Sequence, residues 1–90
     1  MNQNKYKVNW KPLEDLATKS PDLVKCEDWM YMYTFEQVNM QTGEIWEIHL
    51  YKNIMTRRYL NLDESGNFFK YRPESNDYRE ISAPNSLLEL

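Results

Sequence analysis

The chain is expected to fold as α+β, a four- to five-stranded antiparallel β-meander over about residues 29–82 packed with a short N-terminal helix. Three observations lead there. Trp29 to Phe35 reads Trp-Met-Tyr-Met-Tyr-Thr-Phe, the composition of a strand apolar on both faces and therefore expected to be buried. From there to Ser82, apolar and polar residues alternate between turn signals, two of them marked by Gly43 and Gly66. Ahead of the aromatic run, Leu13, Leu16 and Ala17 fall at helical spacing behind Pro12.

Ninety residues suit one domain over 1–90, in which about 60–65% of the unfolded chain's surface can be buried. Thirteen aromatic residues supply most of that core, each able to bury about 150–250 Å². Mean hydropathy is low, yet the apolar residues are clustered and periodic, which separates this chain from a disordered one.

Residues 1–9 read as a flexible leader or an edge strand, with Lys5 to Val8 the strand candidate. A helix over 11–20 follows. Pro12 suits a first helical turn, Glu14 and Asp15 favour its positive end, and Ser20-Pro21 stops it, because proline disfavours helix in the residue before it. Two turns are too short to be stable alone, so the leucine face must dock on the sheet. A second short turn through Leu23, Val24 and Cys26 would deliver the chain to Trp29.

If Met40 to Gly43 is the first hairpin loop, residues whose numbers sum to 83 face one another: Tyr33 with Leu50, Phe35 with Ile48, Gln37 with Trp46. That register gives one face almost wholly apolar. The other carries Met32, Thr34, Glu36 and Val38 against Ile45, Glu47, His49 and Tyr51, a mixed surface expected to meet water. Asp63 to Asn67 marks a second hairpin, with Gly66 placed for positive φ. A two-residue loop would pair Leu62 with Phe69, a three-residue loop Leu62 with Phe68. The link Lys52 to Thr56 has neither Gly nor Pro and is the weakest turn in the pattern. Arg72 to Asp77 is a better turn, and Tyr78 to Ile81 adds a fifth strand. Five short strands in this span could also curl into a small SH3-like barrel, which is the alternative architecture. Residues 83–90 form a tail whose three leucines either dock on the core or serve as an apolar tag.

Net charge of −3 and a pI near 5.1 argue against a general polyanion binder. A single cysteine, Cys26, allows no internal disulfide and fits a reducing, cytoplasmic location. No apolar run approaches the ~20 residues of a membrane span, so no membrane association is expected. Cys26 and His49 are the only sulfur and imidazole donors, short of the four such ligands usual in a structural zinc site. Asp63, Glu64 and Asn67 lack the pattern of a calcium loop, and two glycines used in turns leave no phosphate cradle. No metal or cofactor is therefore expected. Catalysis could be sought in a Cys26–His49 pair or in Glu36 and Glu47, which face each other in the proposed register. A packing cysteine, a surface histidine and a solvated acid pair account for these residues more simply.

One local bias remains. All four arginines lie in the second half, and Lys52 to Arg72 holds five cations against Asp63 and Glu64, with Tyr51, Tyr59, Phe68, Phe69 and Tyr71 interleaved. Tyr and Arg are favoured anchors at protein interfaces. The expected function is a non-enzymatic interaction or regulatory module that engages another protein or a second copy of itself. The candidate residues are Tyr51, Arg57, Arg58, Tyr59, Lys70, Arg72 and Tyr78. The alternative is single-stranded nucleic acid bound along the ribbon of residues 51–72, its bases stacked on the aromatic rings. A plain half-buried hairpin with a solvated face also accounts for this composition.

Overall fold

The computed structural model describes residues 8–39 and 41–84. Helix α1 (Lys11–Lys19) and a 3₁₀ turn (Cys26–Asp28) precede five strands: β1 (Trp29–Val38), β2 (Ile45–Asn53), β3 (Tyr59–Leu62), β4 (Phe68–Arg72) and β5 (Asp77–Ile81). The strands pair in chain order, each antiparallel to the next. The connectivity is thus the expected meander, and the sheet curls into a half-barrel. The candidate edge strand at 5–8 and the tail leucines lie mostly or wholly outside the described residues, as does Met40 of the first hairpin loop.

Asn9 Oδ1 accepts the Lys11 amide at the start of α1, and the Glu14 amide bonds the Trp10 carbonyl. At its end the Ser20 amide bonds Leu16 O, and Ser20 O in turn accepts the Leu23 and Val24 amides. That tight exit lays Leu13 and Val24, both buried, on one face of the sheet against Trp29, Tyr51, Leu60, Leu62 and Phe68. Leu16 and Ala17 pack at the margin of this cluster. A nine-residue helix is therefore held by its docked face, as its length requires.

The sum-of-83 register holds from Tyr33 to Val38, after which β1 bulges between Tyr31 and Tyr33 and Tyr31 pairs with Tyr51. One extra residue reverses the side-chain alternation. The bulge turns Trp29 and Tyr31 to the same face as Thr34, which corrects the picture of a strand buried on both sides. β1 is an outer strand, and Met30, Met32 and Tyr33 are exposed. The mixed face meets water as expected at Met32, Glu36, Val38, Ile45 and Glu47 and is dry at the remaining three positions. Thr34, His49 and Tyr51 are buried, because α1 and the chain leading into it cover them.

The second hairpin takes the three-residue loop: Leu62 pairs with Phe68, Asn61 with Phe69, and the Asp63 amide bonds Asn67 O. Gly66 has φ +85°, a conformation that glycine adopts without strain. This parity places Leu60, Leu62 and Phe68 on the helix face, and Tyr59, Asn61, Phe69 and Tyr71 on the concave face.

Candidate functional site

The concave face is open at one end and closed at the other. Gln37 of β1 donates its side-chain amide to Tyr78 O at 3.0 Å and accepts the Tyr78 amide at 2.8 Å. The two outermost strands are thereby joined by one side chain. Phe35 and Tyr78 meet beside this bridge with ring centroids 5.1 Å apart, and Trp46 and Phe69 lie 6.1 Å apart across the concavity.

Toward the open end lies a cleft of about 430 Å³. Its walls are Leu50, Tyr59, Phe69, Tyr71 and Tyr78, with Ile81 at the edge of the sheet. Asn61, Arg57 and Arg58 also line it, and Lys70 borders it from a strand position whose side chain alternates to the helix face; among the described residues no carboxylate takes part in the lining. Tyr59 and Tyr71 are each about 40% exposed, so their rings are available to a ligand while remaining fixed. The Lys52 ammonium sits 5.7 Å from the centre of the Tyr59 ring, and the Tyr71 hydroxyl donates to Asn76 Oδ1 at 2.7 Å. Burial, and then the neighbouring Tyr71 and Tyr59, push the Tyr78 phenol above its ordinary pKa. That shift reflects three tyrosines crowded into one low-dielectric space. Asn61 donates from Nδ2 to Phe69 O at 3.1 Å behind them.

The rim carrying Arg57 and Arg58 is built by a turn with neither Gly nor Pro. Buried Asn53 accepts the Met55 and Thr56 amides on Oδ1, each at 2.9 Å. The Arg57 amide bonds Asn53 O, and the Asn53 amide bonds Arg58 O. Arg57 takes φ +65° to close the loop, a left-handed conformation costing a non-glycine residue about 1–2 kcal/mol. The strain places one cation at the mouth of the cleft.

Five of the seven sequence-derived candidates therefore line or border one cleft: Arg57, Arg58, Tyr59, Lys70 and Tyr78. Tyr51 does not belong with them. It is fully buried on the opposite face, where its hydroxyl donates to Asn9 O at 2.6 Å. Burial there holds its phenol far above the ordinary value, with Tyr31 and Glu64 adding to the effect. Arg72 also stands apart, bonded to Ser75 Oγ and facing Asp77 across the β4–β5 turn. Sequence reasoning left out Leu50, Phe69 and Tyr71 of the walls. Settling the second hairpin's parity would have found the last two.

A second cluster lies on the helix-bearing face. His49 is 2% exposed, with Nδ1 2.8 Å from Thr34 Oγ1 and Nε2 2.7 Å from Glu64 Oε2. Thr34 Oγ1 also meets the Tyr31 hydroxyl, and Glu64 Oε2 accepts Asn9 Nδ2 at 2.7 Å. One donor atom each from Glu47, His49 and Glu64 lies within 4.8 Å of the others. Glu36 is the register partner of Glu47, as the sum-of-83 pairing requires.

The Cys26–His49 pair does not form, since both imidazole nitrogens are engaged elsewhere. Cys26 packs at the edge of the core, and burial, with Glu14 and Glu27 nearby, pushes its thiol pKa up. A raised pKa is the reverse of what nucleophilic activation needs. Among the described residues no helix is long and apolar enough to cross a membrane. Comparison with known proteins finds no matching family model, no matching curated protein and no matching solved structure.

Proposed function

We propose that this protein is a non-enzymatic interaction module whose concave sheet face holds an extended acidic segment of a partner protein, with an aromatic or aliphatic side chain of that segment seated in the cleft. The observation that supports this most is the composition of the cleft: aromatic and aliphatic walls, two arginines and, among the described residues, no carboxylate, in a chain whose net charge is −3. Positive charge collected locally against the overall balance selects an anionic neighbour and steers its approach. Tyrosine walls offer large contact area at small entropic cost. A volume near 430 Å³ is enough for one or two anchoring side chains.

The same lining favours a second reading, single-stranded nucleic acid, with bases stacked on Tyr59 and Tyr71 at about 1–3 kcal/mol each and phosphates on the cations. The two differ in their response to salt, because phosphate contacts release counterions and lose affinity steeply as salt rises.

Affinity capture from cells that make the protein, with and without nuclease, tests both. Wild type is run beside a Tyr59→Ala/Arg57→Glu double variant. A nuclease-resistant partner lost from the variant is the expected result. Nuclease-sensitive, salt-labile recovery would move the assignment to nucleic acid, and recovery of only the chain itself would move it to self-association. Equal capture by wild type and variant would exclude the cleft.

A further inference from the structure

The cluster on the helix-bearing face carries an inference independent of the cleft. We propose that Glu47, His49 and Glu64 form a binding site for a divalent cation of the zinc class.

Strand geometry makes the first half of the site. Residues two apart in β2 project to the same side, so Glu47 and His49 stand side by side. The second half comes from the β3–β4 hairpin. His49 pairs with Leu62, and the chain two residues beyond Leu62 brings Glu64 to the imidazole edge at 2.7 Å. The loop is braced where it leaves β3: Asp63 Oδ1 accepts the Ser65 and Asn67 amides, each at 2.9 Å. Three donor atoms within 4.8 Å of one another are near enough for small side-chain rotations to set each about 2.0–2.2 Å from a common ion. To admit one, the half-exposed Glu64 side chain has to withdraw from Nε2, and the Asn9 amide, 3.4 Å from Nε2 and bonded to Glu64 Oε2, has to give way with it.

The imidazole is oriented from behind. Thr34 Oγ1 lies 2.8 Å from Nδ1 and is itself held by the Tyr31 hydroxyl. An outer partner at one ring nitrogen, with the other nitrogen turned toward carboxylates, is the arrangement that fixes tautomer and direction in metal-ligating histidines. Burial of the ring leaves its Nε2 edge as the part that meets the carboxylates.

Charge points the same way. Glu36, Glu47, Asp63 and Glu64 line one depression of about 470 Å³, and among the described residues no Lys or Arg lines it with them. A cation held among these carboxylates would offset their mutual repulsion. A mixed imidazole and carboxylate set suits zinc, a borderline ion that takes nitrogen and oxygen donors. The sequence supplies too few Cys and His for a four-ligand structural centre. This site needs one His and two carboxylates, leaving a coordination position for water.

The experiment is calorimetric titration of the full chain, first stripped with chelator, with zinc chloride, alongside NMR of the His49 ring nitrogens. Single-site binding is expected, with the Nε2 resonance moving and the ring proton on Nδ1 in the zinc-bound form. Glu47→Gln and Glu64→Gln, each substituted near the protein surface so that folding is retained, should each weaken binding on the order of tenfold or more. Asp15→Asn on exposed α1 and Cys26→Ser should leave it unchanged. No heat and no Nε2 shift at millimolar zinc would overturn the proposal. So would binding that survives both Glu variants, or that disappears with Cys26→Ser.

Discussion

The two faces of this sheet are made from similar side chains and do different things. On the helix-bearing face, Tyr51 and Trp29 lie under α1 with Leu13 and Val24, and the Tyr51 hydroxyl is spent on the Asn9 carbonyl. On the concave face, Tyr59 and Tyr71 remain about 40% exposed beside Arg57 and Arg58. Aromatic content does not distinguish core from surface here. What distinguishes them is whether another element covers the ring, and that follows from one bulge at Met32 and one hairpin parity at Gly66. The bulge rotates Trp29 and Tyr31 under the helix. The three-residue loop turns Tyr59, Phe69 and Tyr71 away from it.

Substitutions should separate the faces, and the sharpest contrast is in stability. Leu62→Ala, at a position fully buried under α1, is expected to cost about 2–5 kcal/mol in urea unfolding. Tyr71→Ala on the open face should cost about 1 kcal/mol, the worth of its ring contact with Tyr78, while impairing partner binding. Equal costs would erase the distinction. Asn53→Ala comes next, at about 1–2 kcal/mol, because it strips two amides of their acceptor in a part-buried turn. Its amide-exchange protection should fall around residues 54–58, and the rim of the cleft should loosen with it.

Tyr51→Phe should cost about 1 kcal/mol at neutral pH through the lost bond to Asn9 O, and it should also change the alkaline limb of the stability curve. The Tyr51 phenol is held above its ordinary pKa of 10.0 by burial. The unfolded chain therefore loses this proton at lower pH than the folded one. The stabilisation is complete below pH 10 and declines as pH rises beyond it. Wild type should lose stability above about pH 10, and Tyr51→Phe should lose less, keeping a residual slope from Tyr78, which is shifted the same way. Parallel curves for the two proteins would count against a buried phenol. The smallest effect is expected at Arg57, where φ is +65°. Arg57→Gly should raise stability by about 0.5–1 kcal/mol and yet weaken partner binding, a gain in one property and a loss in the other that only a rim residue would show.

Much of the fold was legible in the residues because alternation and turn chemistry agreed. Pairing of Tyr33 with Leu50 through Gln37 with Trp46 followed from placing one loop, and the docked helix followed from Leu13, Leu16 and Ala17. The bulge was not legible. No glycine or proline marks Met32, and only tertiary packing of Trp29 and Tyr31 against Leu13 selects it. The turn at Asn53 was hidden for a related reason: an asparagine side chain and a left-handed arginine do the work usually assigned to glycine. Five candidate residues came from local bias alone, since Arg and Tyr cluster in the second half. Tyr51 was misplaced because its face depended on where α1 docks. The approach of Glu64 to His49, fifteen residues apart in sequence, depended on the same unsettled hairpin.

The most direct test of the central claim, that the concave face is the binding face, is selection of displayed random peptides on the full chain, followed by re-binding to the Tyr59→Ala/Arg57→Glu variant. The expected outcome is a consensus of an aromatic or aliphatic residue flanked by Asp or Glu, with binding lost on the variant. Peptides that bind both proteins equally, or a selection that enriches no consensus, would contradict it.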